Sequence, residues 1–309
     1  MKTPPILQLV YCSLLTFACH PQSLRGQDLP LRFNFPDKSQ AKVTENLVRD
    51  GKQIKFTYDI VIRREAGAGI RVEHSNARVL EWQGNPITQA ENDASMLMTL
   101  TLSGKTAILE ITDEGIFQRI TNAKEIVSAF ETVMGLVTQN KTQENLREQM
   151  IDAVRGEKGQ AMINLAAARP WKACVETWVG FDVKPGKTES RQIEIEELPG
   201  VPIEWEQTLA NLGNVTGNPK LWHLTLQSRV SDKAYGQKMV DHMRSVNPEA
   251  AAQVTAEMAS RMQPATAMEC HIDPLTLRPT WVKVQTKVGE GPKAKIQDSE
   301  YEFKWVLKE

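Results

Sequence analysis

The chain has 309 residues, 41% hydrophobic and 24% charged, with 37 basic against 38 acidic side chains and a formal net charge of −1. These values exclude a collagen-like, a mostly disordered or a multi-span membrane chain. The balanced charge argues against electrostatic binding of nucleic acid, and four cysteines are too few for a disulfide-dense scaffold.

Residues 1–26 read as a secretory signal. Lys2 precedes an apolar run from Ile6 to Ala18 that only Gln8, Ser13 and Thr16 interrupt. The run is too short to cross a bilayer, which takes roughly 20 residues, and fits the short apolar core of a signal peptide. Two processing routes fit. One is cleavage after Ala18 or after Gly26. The other makes Cys19 the acylated first residue, because Leu15-Thr16-Phe17-Ala18-Cys19 resembles a degenerate bacterial lipobox. The expected location is extracytoplasmic, periplasmic or secreted, with membrane association only through lipidation at Cys19. Cys12 leaves with the signal. Cys174 and Cys270 remain as an even pair in a compartment that permits oxidation, which predicts a disulfide between them, closing a loop of about 96 residues. Two buried free thiols are the alternative.

From Leu31 to Ile120 the dominant period is two. Ile54, Phe56, Tyr58, Ile60 and Ile62 alternate with Lys55, Thr57, Asp59 and Val61, the pattern of a strand with one buried face. Asp50-Gly51-Lys52 predicts a hairpin pairing 41–49 with 53–63. Ala66-Gly67-Ala68-Gly69 turns into a strand over 70–82. Met96, Met98, Leu100 and Leu102 predict another, and Ser103-Gly104-Lys105 turns it into 106–112. Asp113-Glu114-Gly115 precedes a strand over 116–120. The order is a meander.

The period changes at Asn122, which with Glu125 makes a capping-box signature. Ile126, Phe130, Val133 and Val137 fall on one helical face. Further helices are predicted over 142–154 and 160–169, the latter ended by Pro170. Weak strand character over 175–183 leads through Pro185-Gly186-Lys187 to a strand at 189–196. Residues 198–219, rich in Gly and Pro, read as loop around an uncertain strand at 203–212, and 221–229 as a strand. Helices follow at 235–246 and, with Pro248 at its first position, at 249–262. Strands at 266–272, 281–288 and 295–307 finish the chain. The whole reads as one α+β domain over 27–309, a mostly antiparallel sheet packed against helices inserted at about 122–169 and 231–262.

Catalytic and metal-binding signatures are missing. His20, His74, His223, His242 and His271 form no HExxH and show no second ligand at helical spacing. His74 and His223 fall in predicted strands, at positions that could face solvent. There is no GxSxG elbow and no phosphate-binding glycine loop. Glu194, Glu196 and Glu197 read as a solvated strand edge. The sequence therefore predicts no catalytic residues, no metal and no cofactor. Six of the seven tryptophans lie in or beside predicted strands. They read as core, with a cavity lined by Trp, Met and Leu as the alternative.

The stretch Cys270-His271-Ile272-Asp273-Pro274-Leu275-Thr276-Leu277-Arg278-Pro279-Thr280-Trp281 is a strand-turn-strand signature. It resembles one in the bacterial lipoprotein-carrier superfamily, which includes the periplasmic lipoprotein chaperone. Glu110–Ile116, followed by a helix, resembles uncharacterised extracytoplasmic bacterial proteins of similar layout. The carrier resemblance implies a strongly curved, incomplete antiparallel barrel covered by helices, with acyl chains held between. It transfers no ligand residues, and this chain is longer than a typical carrier. The expected function is non-catalytic binding or carriage of a hydrophobic or lipidic ligand. A structural or protein-interaction role in the cell envelope is the alternative, and an enzyme with an unrecognised site a third.

Overall fold

The computed structural model describes residues 31–49, 51–65, 69–88, 104–137, 148, 151, 152, 154–198, 201–246, 251–291 and 294–306. The signal segment, Cys12, Cys19, the strand expected at 96–102 and most of the helix expected at 142–154 lie outside the described residues. In chain order the strands are β1 (Gln40–Arg49), β2 (Lys52–Glu65), β3 (Gly69–Trp82), β4 (Asn85–Pro86), β5 (Ile108–Ile111), β6 (Phe117–Ile120), β7 (Lys187–Leu198), β8 (Val201–Val215), β9 (Asn218–Val230), β10 (Pro264–Ile272), β11 (Pro279–Val288) and β12 (Lys295–Val306). The helices are α1 (Ala123–Val137), α2 (Glu157–Cys174), α3 (Tyr235–Val246) and α4 (Ala256–Ser260), with a 3-10 turn at Glu176–Trp178.

All the strands join one antiparallel sheet in the order β6-β5-β3-β2-β1-β12-β11-β10-β9-β8-β7, with β4 beside β3. The sheet is open and dominates the fold, so helices play a smaller part than the α+β reading expected. It is two meanders joined at a seam. β1 pairs with β12 along its whole length, from Gln40 opposite Val306 to Arg49 opposite Gln297, and with β2 across the hairpin expected at Gly51. Alternation sets the faces. Ala41 and Val43 on β1, Phe56, Tyr58, Ile60 and Ile62 on β2, and Met268, Cys270 and Ile272 on β10 are buried, while the intervening residues are polar or charged apart from Val61, and of these only Thr57 is buried. One face is wet and one is core.

The chain leaves this sheet at one edge, β6, and re-enters at the other, β7. The connection must therefore run across the sheet, and it does so over the apolar face. α2 packs against β6 and β11 and buries Ile163, Ala167, Ala168, Trp171 and Cys174. Most of the core lies beneath it. A smaller cluster of Ile195, Ile203, Trp205, Val230 and Tyr235 sits where α3 meets β8.

Several local expectations change. Pro170 does not end its helix; α2 continues to Cys174. Proline removes one backbone donor, and the burial of Trp171 and Cys174 outweighs it. Residues 175–183 form a 3-10 turn and extended chain rather than a strand, with Trp178 and Phe181 turned into the core. The glycine-rich stretch is two long strands, β8 and β9, whose register shifts around Gly213. Of the helix expected at 249–262, residues 249 and 250 lie outside the described residues, Ala251 is helical, and α4 is a separate short helix capped by Thr255, whose hydroxyl accepts from the Met258 N–H at 3.1 Å. Asn122 precedes α1, but its side chain serves the sheet, accepting from Ile108 N–H at 2.8 Å and donating to the Thr106 carbonyl at 2.9 Å.

Gly104 shows how closely the crossover is seated. Its φ is +70°, and a Cβ there would lie 2.7 Å from the backbone nitrogen of Ala167 on α2. Gly51 has a similar φ of +75° with open space around it. Gly51→Ala should therefore cost about 1 kcal/mol from backbone strain alone. Gly104→Ala should cost that plus about 1–3 kcal/mol of overpacking, read as a lower urea midpoint. Equal losses at the two positions would show that α2 is not seated on the Gly104 turn.

Candidate functional site

The N-terminal stretch Leu31–Phe35 enters as extended chain between α2 and the sheet, held by hydrogen bonds from Gly180 N–H to the Leu31 carbonyl (3.1 Å) and from Asn34 N–H to the Thr276 carbonyl (3.2 Å). Its alternation buries Leu31, Phe33 and Phe35. Phe35 meets Trp171 at 6.0 Å and Trp305 at 5.3 Å, both edge-on. The indoles are tethered in turn: Trp171 Nε1 donates to the Gly115 carbonyl at 2.9 Å and Trp305 Nε1 to the Pro279 carbonyl at 2.6 Å. These rings wall a cleft that Tyr58, His74 and Cys174 also line. Its cavity volume is about 20 Å³, room for roughly one water, so a larger ligand has to part the rings. Its walls are mostly apolar and aromatic, the composition of a small-ligand pocket.

Beside the cleft lies a charged pair. Glu45 sits on the inner face of β1, between Val43 and Leu47, and Lys105 follows Gly104 in the turn under α2. Their side chains are 6% and 3% exposed, and Lys105 Nζ bonds Glu45 Oε2 directly. The Tyr58 hydroxyl donates to the same oxygen at 3.5 Å. The ammonium stands 5.1 Å from the Tyr58 ring centroid and 5.6 Å from that of Phe56, close enough for cation–π attraction. Two charges survive here only because each neutralises the other, since an isolated buried ion loses several kcal/mol of hydration.

The pair tunes its neighbours. Burial first, and then the negative charge of Glu45, push the Tyr58 and Tyr301 hydroxyls well above their ordinary range. His74 moves the other way. Burial and the Lys105 charge lower it to about 4, opposed by the backbone at Gly104, and its Nδ1 is buried without a partner. His74 thus stands on the inner face, not open to solvent as its strand position suggested. His223 does lie on the outer face, against His271 with ring centroids 4.9 Å apart.

The predicted disulfide between Cys174 and Cys270 is not formed: both are free and buried. Cys174 ends α2 and Cys270 lies on the inner face of β10. Burial raises both thiols well above their usual range. They act as small apolar side chains in the core. Trp178 and Trp205 are core, while the buried Trp171 and the half-buried Trp305 also wall the cleft. The methionine lining expected for a cavity is not found at α4, where Met258 and the following Met262 are exposed. Among the described residues no group of three or more His, Cys, Asp or Glu side chains is placed to hold a metal. Sequence reasoning passed over Glu45 and Lys105. The available signal was a carboxylate in the apolar phase of Ala41, Val43 and Leu47.

No protein-family model matches the chain, and no curated protein matches it in sequence. A solved structure titled "Lipid-protein interactions in lipovitellin" is similar over 89% of this chain at 8% identity and a TM-score of 0.41. This chain spans about a quarter of that one (26%).

Removing one member of the buried pair strands the other. Lys105→Met and Glu45→Leu should each cost about 3–5 kcal/mol, and the double variant should recover most of that loss. Additive losses in denaturant melts would show that the charges do not compensate one another. For His74, the folded state resists protonation that the unfolded chain accepts. Stability should therefore fall as pH drops from about 6.5 toward 4, by at most about 3 kcal/mol. His74→Phe should flatten that limb of the stability–pH curve.

Proposed function

We propose that this chain is a non-catalytic, extracytoplasmic protein that binds or carries a hydrophobic or lipidic ligand. The observation that carries the reading is the aromatic cleft between α2 and the inner face of the sheet, walled by Phe35, Trp171 and Trp305. Trp and Phe side chains offer large apolar area at little entropic cost, and the cleft adjoins the main hydrophobic core of the sheet's inner face. The titratable groups near it support binding over catalysis. His74 stays neutral above about pH 4, the two tyrosines are held protonated, and Glu45 and Lys105 are occupied with each other.

The reading of residues 1–26 as a signal and of Cys19 as a candidate acylation site belongs to the same proposal. The intact mass of the mature protein tests it: loss of the leader, with or without a diacylglycerol on Cys19, is expected. A full-length unprocessed chain from its own host would overturn the extracytoplasmic reading. For the ligand, native mass spectrometry of protein purified from that host without detergent should show acyl-lipid adducts. A brominated fatty acid should also quench tryptophan emission through Trp171 and Trp305. Lipid-free protein that brominated acyl chains do not quench would overturn the binding reading.

A further inference from the structure

The inner face carries a second polar feature, at the opposite end of the strands from the cleft. Arg191, Gln207, Ser228 and Thr266 stand side by side on β7, β8, β9 and β10. The row continues through Thr286 on β11 and Gln297 on β12 to Arg49 on β1. Gln207, Ser228 and Thr266 are 0%, 2% and 4% exposed, in phase with the apolar residues of their strands.

Their hydrogen bonding is incomplete. Arg191 donates to Gln207 Oε1 through Nε at 3.0 Å and Nη2 at 2.8 Å. That fixes the amide orientation and uses the oxygen, so Nε2 must present its two protons elsewhere. Gln207 Nε2, Ser228 Oγ and Thr266 Oγ1 are all buried with no partner. A buried unsatisfied polar group is destabilising, and natural interiors retain few of them. Here three stand on adjacent strands, in register.

The chemistry of a matching ligand follows from the donors. The amide offers two protons and each hydroxyl one, Arg191 holds positive charge at one end, and the row contains no acidic side chain. It therefore suits an acceptor-rich, anionic group and disfavours an ammonium. The next row along the strands is apolar: Leu209, Leu226, Met268 and Val284 lie opposite one another across β8 to β11 and are buried. We propose that Gln207, Ser228 and Thr266 receive the carboxylate of a fatty acid whose chain runs over Leu226 and Met268. It enters from the open edge, where Arg191 is exposed. This rests on the reading of the protein as a lipid binder and names the class of lipid and the seat of its head group.

The test uses the full chain, palmitate labelled with ¹³C at the carboxyl, and hexadecane as a ligand without a head group. Variants are Ser228→Ala, Thr266→Val and the two combined, which keep shape and remove the hydroxyls. Wild type should bind palmitate with a displaced carboxyl resonance. The double variant should bind it at least tenfold more weakly, while hexadecane affinity stays unchanged. Without ligand the double variant should melt at or above the wild-type temperature, because it loses groups that have no partner. Equal palmitate affinity in wild type and double variant overturns the head-group seat. So does wild type that binds hexadecane but not palmitate, which leaves lipid binding itself standing. A clear drop in the melting temperature of each single variant also overturns it, since the hydroxyls would then be satisfied within the protein. Wild type that binds neither ligand overturns both readings together.

Discussion

The route of the chain between β6 and β7 governs this fold. Two antiparallel meanders meet at the β1–β12 seam, so the strands that continue the chain in sequence lie at opposite edges of the sheet. The connection has to pass over one face, and only the apolar face rewards the passage. α2, the 3-10 turn and the Leu31–Phe35 stretch are parts of the same cover. The cover has tight and loose places. At Gly104 the turn and helix touch backbone to backbone, and Lys105 is thereby driven into the core, where Glu45 has to meet it. A few residues away, bulky rings hold the cover off the sheet and leave the cleft.

Strand alternation was the part most legible in sequence. β1, β2 and the three C-terminal strands were readable because each is long, has one apolar phase and is bounded by Gly, Pro or Asp turns. The turn at Asp273 shows the signal working at atomic scale: its carboxylate accepts from Leu275 N–H at 2.9 Å and from the Thr276 hydroxyl at 2.7 Å. Misreadings came where tertiary packing overrode a local breaker. Pro170 looks like a stop, but the helix gains more from burying Trp171 and Cys174 than it loses in one hydrogen bond. Gly213 and Pro202 looked like loop residues, yet a register shift and the pairing with β7 accommodate them. The helix expected at 249–262 is broken at 252–255, after a helical Ala251, and Thr255 caps a separate short helix.

The site was less legible, for a different reason. Glu45 was visible as a charge in the wrong phase of a strand, but its partner lies sixty residues away, and no spacing rule connects them. The disulfide expectation rested on cysteine parity and compartment, which are statements about composition; the structure holds Cys174 and Cys270 as buried free thiols, the alternative the sequence also allowed. Gln207, Ser228 and Thr266 each look ordinary in their own strands. Their alignment exists only in the register of β8, β9 and β10.

The two polar features of the inner face differ in a way that bears on their roles. The Glu45–Lys105 pair is complete: charge meets charge, Tyr58 supplies a further donor, and aromatic faces cover the ammonium. A complete buried pair adds little net stability over an apolar substitute but strongly penalises any arrangement that separates its members. It therefore fixes which part of the crossover lies over β1 and β2. The Gln207–Ser228–Thr266 row penalises its own burial instead, because its donors end without acceptors. A fold that uses polar groups only to specify its topology would have completed both. An incomplete row on a sheet face whose other polar groups, such as Glu45 and Asn211, find partners is the arrangement expected where part of the hydrogen bonding is to come from a bound molecule.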